Sequence, residues 1–165
     1  MGIVIITGGI DSGKTTWCIE NLVEGNAQID GVLSLKVFRH TKRIGYDILR
    51  AKTGERFPLA RLRGCIPLGC RERLELGIFS FCMSAFRKAE EWFEDIGPME
   101  SFVIDEVGHL ELKGEGFHDL AVSILGKRHL FENIYLVVRK SLVESVAFDL
   151  NISDYTLIDV EQPLH

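Results

Sequence analysis

A glycine-rich stretch constrains the fold of this chain more than any other feature of its sequence. Residues 8–16 read GGIDSGKTT, which fits the pattern GxxxxGK[ST] with Gly8, Gly13, Lys14 and Thr15. This pattern requires a backbone loop that curls tightly enough to point several N–H groups inward at an anion. We therefore expect a strand before the stretch, a tight loop within it and a helix after it.

The segments on either side of the stretch satisfy that requirement. Residues 2–7 form a continuous apolar and β-branched run, which is typical of a strand buried on both faces of a parallel sheet. Residues 15–23 can form a helix, and Gly25 with Asn26 is expected to end it. The alternative is a glycine-rich turn with a surface lysine, and the strand–loop–helix context disfavours it.

The chemistry of a phosphate-binding loop gives these residue types specific roles. Lys14 can reach the β- and γ-phosphates of a nucleotide, and the Thr15 hydroxyl can hold Mg²⁺. The helix that begins near Thr15 adds the positive end of its dipole. The residues predicted to bind the nucleotide form one continuous run: Gly8, Gly9, Ile10, Asp11, Ser12, Gly13, Lys14, Thr15 and Thr16.

A second motif supplies the acidic partner that such a loop needs. Residues 102–104 are an apolar strand candidate that runs into Asp105 and Glu106. Asp105 is predicted to orient Mg²⁺, mostly through water, and Glu106 to polarise a water for attack on the γ-phosphate. The alternative, two acids that cap the next turn, is disfavoured by the preceding phosphate loop. Two interpretations of Glu111 stay equally open: it is a contact near the substrate, or it is an acid at a helix start that the helix dipole favours.

Strand and helix candidates alternate along the rest of the chain. The further strand candidates are 31–38, 44–49, 76–81, 134–138 and 155–160, and the further helix candidates are 83–96, 117–125 and 142–150. Residues 53–55 and 64–70 are predicted as a turn and a loop. This alternation predicts an α/β fold of the P-loop type over a single domain, 1–165: a three-layer sandwich whose mostly parallel central sheet has helices on both faces and an inserted β-hairpin.

The charge of the chain is unevenly distributed. The net charge is −5, yet residues 36–73 contain eleven Lys and Arg against three acids and carry +8. A basic third within an acidic chain favours a segment that faces an anion, and we expect a second anionic ligand there as one possibility. A solvated basic surface that offsets acidic helices is the alternative.

Three stretches together resemble the thermostable nucleoside-triphosphatase family, which includes the animal cancer-related nucleoside-triphosphatase. They read ITGGIDSGKTT at 6–16, KRIGYDILRAKTGERFPLAR at 42–61 and FVIDEVGHLEL at 102–112. The resemblance covers most of the chain. It implies an architecture like that of a small nucleotide kinase and slow hydrolysis of ATP, GTP and other triphosphates.

Two places depart from the pattern of that family. His109 stands where the family usually has lysine. The family usually carries an acid followed by V-R before the hairpin turn, and this chain has Lys36, Val37 and Phe38 there. Phe38 cannot replace an arginine that contacts the nucleotide, and Arg39 can do so only if the turn shifts its register.

Three arginines are candidates for the cation that stabilises charge on the γ-phosphoryl oxygens. Arg39 and Arg43 lie in the basic hairpin, and Arg139 follows a strand where the carboxyl ends of the sheet gather. Arg43 is the predicted catalytic cation because it falls within the family-like segment.

Four cysteines without a secretion signal predict free thiols and a cytoplasmic location. Cys18 and Cys82 are expected in the core. Cys65 and Cys70 are expected to be small loop residues rather than zinc ligands, because no further ligand pair lies near them. A disulfide between these two is left open.

These observations predict a Mg²⁺-dependent nucleoside-triphosphatase that acts on ATP or GTP. The same machinery would serve a kinase for a nucleotide or another small acceptor, which is the first alternative. An ATP-responsive module that binds RNA or protein is the second, but the basic segment lacks an RNA-binding signature and nucleic acid is not an expected partner. No apolar run is long enough for a membrane span, and a monomer is expected.

Overall fold

The computed structural model describes residues 2–26, 28–67, 69–98 and 101–162. Within these ranges the strands are β1 (Gly2–Gly8), β2 (Ile29–Arg39), β3 (Lys42–Arg50), β4 (Arg56–Leu62), β5 (Arg73–Leu76), β6 (Phe79–Cys82), β7 (Ser101–Val107), β8 (Asn133–Arg139) and β9 (Thr156–Asp159). The α-helices are α1 (Lys14–Cys18), α2 (Met83–Trp92), α3 (His118–Gly126) and α4 (Val143–Asp149). A π-helical segment, Ile19–Val23, continues α1, and short 3₁₀ turns occupy Glu111–Lys113, Arg128–Leu130 and Lys140–Leu142.

The strands form one sheet in the order β5-β6-β4-β3-β2-β7-β8-β1-β9. The half from β2 to β9 is parallel, and β3, β4, β6 and β5 extend it with antiparallel pairs. The β2–β3 pair is the predicted hairpin, with its turn at His40 and Thr41. Because parallel strands end at the same edge, the ends of β1, β7 and β8 meet next to the first loop.

The two faces of the sheet carry two separate apolar cores. Successive residues alternate between them, so that Ile5 packs on one side and Ile6 on the other. Helices α2, α3 and α4 cover the first face, and α1 with its π-helical continuation covers the second. This arrangement confirms the predicted three-layer α/β sandwich with an inserted hairpin.

The predicted strand 76–81 is wrong in one respect, because two strands occupy this region. Gly77 adopts a left-handed φ of 58° and Ile78 is exposed, so the chain reverses between β5 and β6. Leu76 then pairs with Phe79 across the turn. The apolar character of Ile78 conceals a turn that Gly77 makes possible.

Helix α2 also ends earlier than predicted. The apolar spacing continues to Ile96, yet the helix stops at Trp92. The ring of Phe93 packs edge-on against Phe102 with 4.5 Å between centroids, and the guanidinium of Arg50 lies 5.4 Å from the same ring. Tertiary packing of this aromatic residue thus takes precedence over the local helical pattern.

The prediction of four free thiols is wrong, because Cys70 and Cys82 form a disulfide. Cys82 ends β6 and is buried as expected, whereas its partner lies in the loop before β5. Cys18 is a buried free thiol and Cys65 a partly exposed one. The possible disulfide between Cys65 and Cys70 does not form, because Cys70 pairs with Cys82. The loop prediction at 64–70 holds for its described residues, and Leu68 lies outside them.

Candidate active site

The glycine-rich stretch joins β1 to α1 as a tight loop. Gly13 has a left-handed φ of 83° and precedes the first helical turn, in which the Trp17 N–H donates to the Gly13 carbonyl at 2.8 Å. A Cβ atom on Gly8 would overlap the Ser12 Oγ atom. Glycine is therefore required at both positions, once for its conformation and once for close approach.

Lys14 is folded back over this loop and is buried. Its Nζ atom donates to the Gly9 carbonyl at 2.6 Å and lies 3.4 Å from the Gly8 carbonyl. The ammonium group is thereby held at the centre of the loop, where a bound phosphate group would meet it.

Thr15 and Asp105 meet although 90 residues separate them. The Thr15 hydroxyl donates to Asp105 Oδ2 at 2.6 Å, and the Ser34 N–H donates to the same oxygen at 3.0 Å. The other oxygen, Oδ1, is buried without a hydrogen-bond partner in the described part of the chain. Burial, together with the charge of Glu106, raises the pKa of Asp105 to about 7.

These donors fit a magnesium ion that also binds substrate phosphates. Mg²⁺ commonly uses one or two protein ligands and completes its shell with water and phosphate oxygens. The Thr15 hydroxyl and the unpartnered Oδ1 of Asp105 could supply such ligands. Among the described residues, no cluster of three His, Cys, Asp or Glu side chains could hold a metal by itself.

Asp105 and Glu106 lie in a β-bulge of β7, which turns their side chains in different directions. Ile104 pairs with Leu136, whereas the next paired residue of β7 is Val107, so one extra residue is inserted. Glu106 has a left-handed φ of 62° and is exposed, while Asp105 is fully buried. The bulge thus directs one acid inward towards Thr15 and leaves its neighbour open to the surrounding cavities.

One of the two cavities beside Glu106, which we call the phosphate-loop cavity, has a volume of about 340 Å³. It is lined by residues 10–16 of the loop, by Lys36 and Arg43 of the hairpin, and by Glu106. Gly8 and Gly9 lie beneath the loop and contribute the carbonyl groups that hold Lys14.

The two hairpin cations are paired with an acid of the loop itself. The Lys36 Nζ atom lies 2.8 Å from Asp11 Oδ1, and the Arg43 Nη1 atom lies 3.2 Å from it. The hydrogen bond from Lys36 is the main cause that lowers the pKa of Asp11. Arg43 also lies over the ring of Tyr46, 5.4 Å from its centroid. Two positive charges are therefore held at the mouth of the loop.

The other candidate arginines occupy different places. Arg139 lines the phosphate-loop cavity from the end of β8 and has no ion-pair partner among the described residues. A register shift does occur between Val37 and Phe38. Nevertheless Arg39 is exposed at the hairpin end and, within the described ranges, lines neither of the two cavities beside Glu106.

A second cavity, the apolar cavity, adjoins the first on the other side of Glu106. It measures about 200 Å³ and is walled mainly by aromatic and leucine side chains, and its lining also includes His109 and Arg139. Ser34, Tyr46, Phe79, Glu106 and Arg139 line both cavities.

Glu111 braces the loop that follows β7. Its carboxylate accepts hydrogen bonds from the N–H groups of Gly108 at 2.7 Å and Phe117 at 2.9 Å. The side chain is buried, and that burial raises its pKa. Glu111 is the acid at the start of the 3₁₀ turn Glu111–Lys113, so this geometry fits the structural interpretation, an acid at a helix start.

Most cations of segment 36–73 are paired with acids instead of facing a common surface. Arg50 binds the buried Asp30 at 2.7 Å, and Arg56 and Arg61 both bind Asp47. Among the described cations of this segment, Lys36 and Arg43 are the two that line the phosphate-loop cavity.

Sequence reasoning did not single out several residues of the site. Ser34 reaches it through strand alternation and Lys36 through the hairpin, so neither belongs to a local motif. Glu161, beyond β9, accepts a hydrogen bond from the Gly9 N–H at 2.9 Å. No sequence pattern signals this contact, because 152 residues separate the two.

A family model described as NTPase matches residues 3–161 of this chain. The nucleoside-triphosphatase THEP1 of Methanopyrus kandleri is 28% identical to this chain over 70% of its residues. The match covers 63% of that relative, so this chain spans less than two thirds of the relative's length. The protein of the same name from Saccharolobus solfataricus is 30% identical over 76% of this chain and 70% of its own. The solution structure of a human cancer-related nucleoside triphosphatase shares the fold, with a TM-score of 0.66. The two sequences are 22% identical, and the match covers 96% of this chain and 88% of the human chain. On this evidence the chain belongs to the NTPase family, as the resemblance of its three motif stretches predicts.

Proposed function

We propose that this chain is a Mg²⁺-dependent nucleoside-triphosphatase that hydrolyses the γ-phosphate of ATP, GTP and other nucleoside triphosphates. The observation that carries the proposal is the bulge at Asp105 and Glu106. It places a buried carboxylate suited to a metal ion next to an exposed carboxylate. The names of the relatives support hydrolysis over the kinase and the binding module.

Binding of the triphosphate is assigned to residues 8–16. Lys14 bonds to loop carbonyls and is close enough to exchange them for phosphate oxygens. The N–H groups at the start of α1 and the dipole of this helix add to the attraction. Lys36 and Arg43 face the same cavity and add positive charge.

The metal site is assigned to Thr15 and Asp105. Mg²⁺, when bound, would neutralise charge on the phosphate oxygens. A divalent cation next to Asp105 would also stabilise its carboxylate form and thereby offset the burial that raises its pKa.

The chemical step is assigned to Glu106 and Arg43. Glu106 lines the phosphate-loop cavity, and we assign it to accept a hydrogen bond from the attacking water and draw its proton away. Arg43, already held at the loop mouth, is assigned to the charge that develops on the γ-phosphoryl oxygens.

The substitution Glu106→Gln tests this proposal. It keeps the size of the side chain but removes the base, so kcat should fall by about 10²- to 10⁴-fold. Binding of Mg²⁺–ATP, measured by calorimetry, should change little because the loop and Asp105 stay intact.

The matched control is Glu24→Gln, an exposed glutamate that follows the π-helical segment. Its kcat should equal that of the unsubstituted protein. Hydrolysis at the normal rate by Glu106→Gln would refute the role of Glu106 as the base.

A further inference from the structure

The apolar cavity has the size and walls of a site for a small aromatic molecule. Three rings, those of Tyr46, Phe79 and Phe81, surround it together with Leu110 and Leu142. Its volume of about 200 Å³ is below the range of about 300–1,000 Å³ that is usual for sites of larger ligands. An apolar cavity of about 150 Å³ can hold benzene, so one ring with a small substituent fits this volume.

Besides its apolar walls, the cavity is lined by five polar or charged side chains: Ser34, Glu106, His109, Glu111 and Arg139. Ser34 is only 4% exposed, and its Oγ atom has no hydrogen-bond partner in the described part of the chain. Ser34 follows Val32 on the face of β2 that packs against the first core, the face to which the rings of the cavity also belong. A buried hydroxyl group without a partner is costly, and a ligand atom that comes within hydrogen-bond distance of it on binding would satisfy it.

The polar side chains of the cavity define the substituent. The Arg139 guanidinium can only donate hydrogen bonds, the Glu106 carboxylate accepts them, and Ser34 can do both. A hydroxyl group on the ring offers a donor and an acceptor at once and therefore matches all three. A carboxylate would lie beside Glu106 and be repelled by it.

We propose that the apolar cavity is a binding site for an uncharged single-ring aromatic or heteroaromatic compound that bears a hydroxyl group. The ring lies among Tyr46, Phe79 and Phe81, and the hydroxyl lies between Glu106 and Arg139. The site differs from the phosphate-loop cavity and shares only its boundary residues.

Occupation of this site has a consequence that rests on the proposed function. A hydroxyl group that donates to Glu106 occupies the carboxylate that is assigned to the attacking water, because Glu106 lines both cavities. The ligand therefore lowers kcat for ATP hydrolysis and leaves KM for ATP nearly unchanged, because the phosphate loop stays open.

Phenol is the probe, with benzoate as the charged counterpart, and binding is measured by saturation-transfer NMR without nucleotide. We expect phenol to bind at least about tenfold more tightly than benzoate. Leu142→Phe fills the cavity and should abolish phenol binding. The matched control Leu157→Phe, at an exposed position of β9, should leave it unchanged.

A second variant keeps the shape of the cavity. Ser34→Ala removes only the unpartnered hydroxyl and should weaken phenol binding by about three- to tenfold. Absence of phenol binding, equal binding of benzoate, or undiminished binding by both Leu142→Phe and Ser34→Ala would overturn the site. Binding that follows these expectations but leaves kcat unchanged would uphold the site and contradict the role assigned to Glu106.

Discussion

At the scale of single residues, Asp11 has an unusual position because it lies inside the phosphate loop and neutralises two cations. It pairs with Lys36 at 2.8 Å and with Arg43 at 3.2 Å. These pairs are partly exposed, so each stabilises the fold only weakly. A triphosphate with several negative charges should therefore displace Asp11 from both cations at little cost.

Arg43 is the cation whose removal should affect the chemical step most. Arg43→Met keeps much of the stem that lies over Tyr46 but removes the charge. We expect kcat for ATP to fall on the order of 10³-fold, the lower range for a catalytic arginine. Steady-state kinetics on the purified variant measures this effect.

Arg39→Met is the matched control, because Arg39 belongs to the same hairpin yet is exposed beyond the site. Its kcat should stay within about twofold of the normal value. If Arg43→Met is active while Arg139→Met is not, the catalytic cation is Arg139, the third arginine considered from the sequence.

The sequence predicts those site residues that belong to local motifs. Lys14 and Thr15 follow from one pattern and Asp105 from a strand end, and the contact of Thr15 with Asp105 is consistent with both. Ser34 and Lys36 could not be predicted in this way, since their places depend on which strand pairs with β7. The residues next to Ser34 and Lys36 in the sequence do not indicate which strand β2 pairs with.

At the scale of elements, the Cys70–Cys82 disulfide fixes the outer edge of the antiparallel extension. It ties the loop before β5 to the end of β6, across a sequence separation of 12 residues. Strand β6 also supplies two rings to the apolar cavity, those of Phe79 and Phe81. The bond therefore holds one wall of that cavity as well as the sheet edge.

Cys70→Ser should lower the free energy of unfolding by about 2–3 kcal/mol, because the unfolded chain regains the entropy of an open loop. Urea unfolding without reductant measures the loss. Dithiothreitol should destabilise the unsubstituted protein by a similar amount and leave the variant unchanged.

Cys65→Ser serves as the control for this experiment, since Cys65 is a free thiol in the same loop region. It should retain the full sensitivity of the unsubstituted protein to dithiothreitol. Equal stability of Cys70→Ser and the unsubstituted protein would show that the bond contributes nothing to the fold.

Strands and helices with clear periodicity could be predicted, whereas their ends and turns often could not. The apolar run before the phosphate loop is strand β1 as expected. The turn at Gly77 and Ile78 could not be predicted, because an apolar residue occupies it. The end of α2 could not be predicted, because it depends on the packing of Phe93 against Phe102. Each miss reflects a tertiary contact or backbone conformation that competes with the local pattern.

At the scale of the whole molecule, the candidate site joins distant parts of one sheet. The loop follows β1 within the parallel half, whereas Lys36, Arg43 and Tyr46 come from the β2–β3 hairpin, where the parallel half meets the antiparallel strands. The parallel half follows from the alternation of strands and helices in the sequence. The β5–β6 extension beyond the hairpin does not, because its pairing depends on the unpredicted turn.

A ligand that binds both halves should stabilise the whole fold. At about 100 times its Kd, a non-hydrolysable ATP analogue with Mg²⁺ should add about 2.7 kcal/mol to the free energy of unfolding. For a chain of this size that corresponds to a rise in Tm of roughly 5–11 °C, measured by calorimetry. EDTA should reduce the rise, because the phosphate charges then lack the cation that we propose Thr15 and Asp105 to hold.

Asp105→Asn separates the metal from the nucleotide in this experiment. The variant should show the same small rise in Tm with the analogue whether Mg²⁺ or EDTA is present, since it lacks the acid proposed to orient the cation. Asp154→Asn, at an exposed position before β9, should respond like the unsubstituted protein. A rise in Tm that is insensitive to EDTA in the unsubstituted protein would contradict a magnesium site at Thr15 and Asp105, whatever the activity of the enzyme.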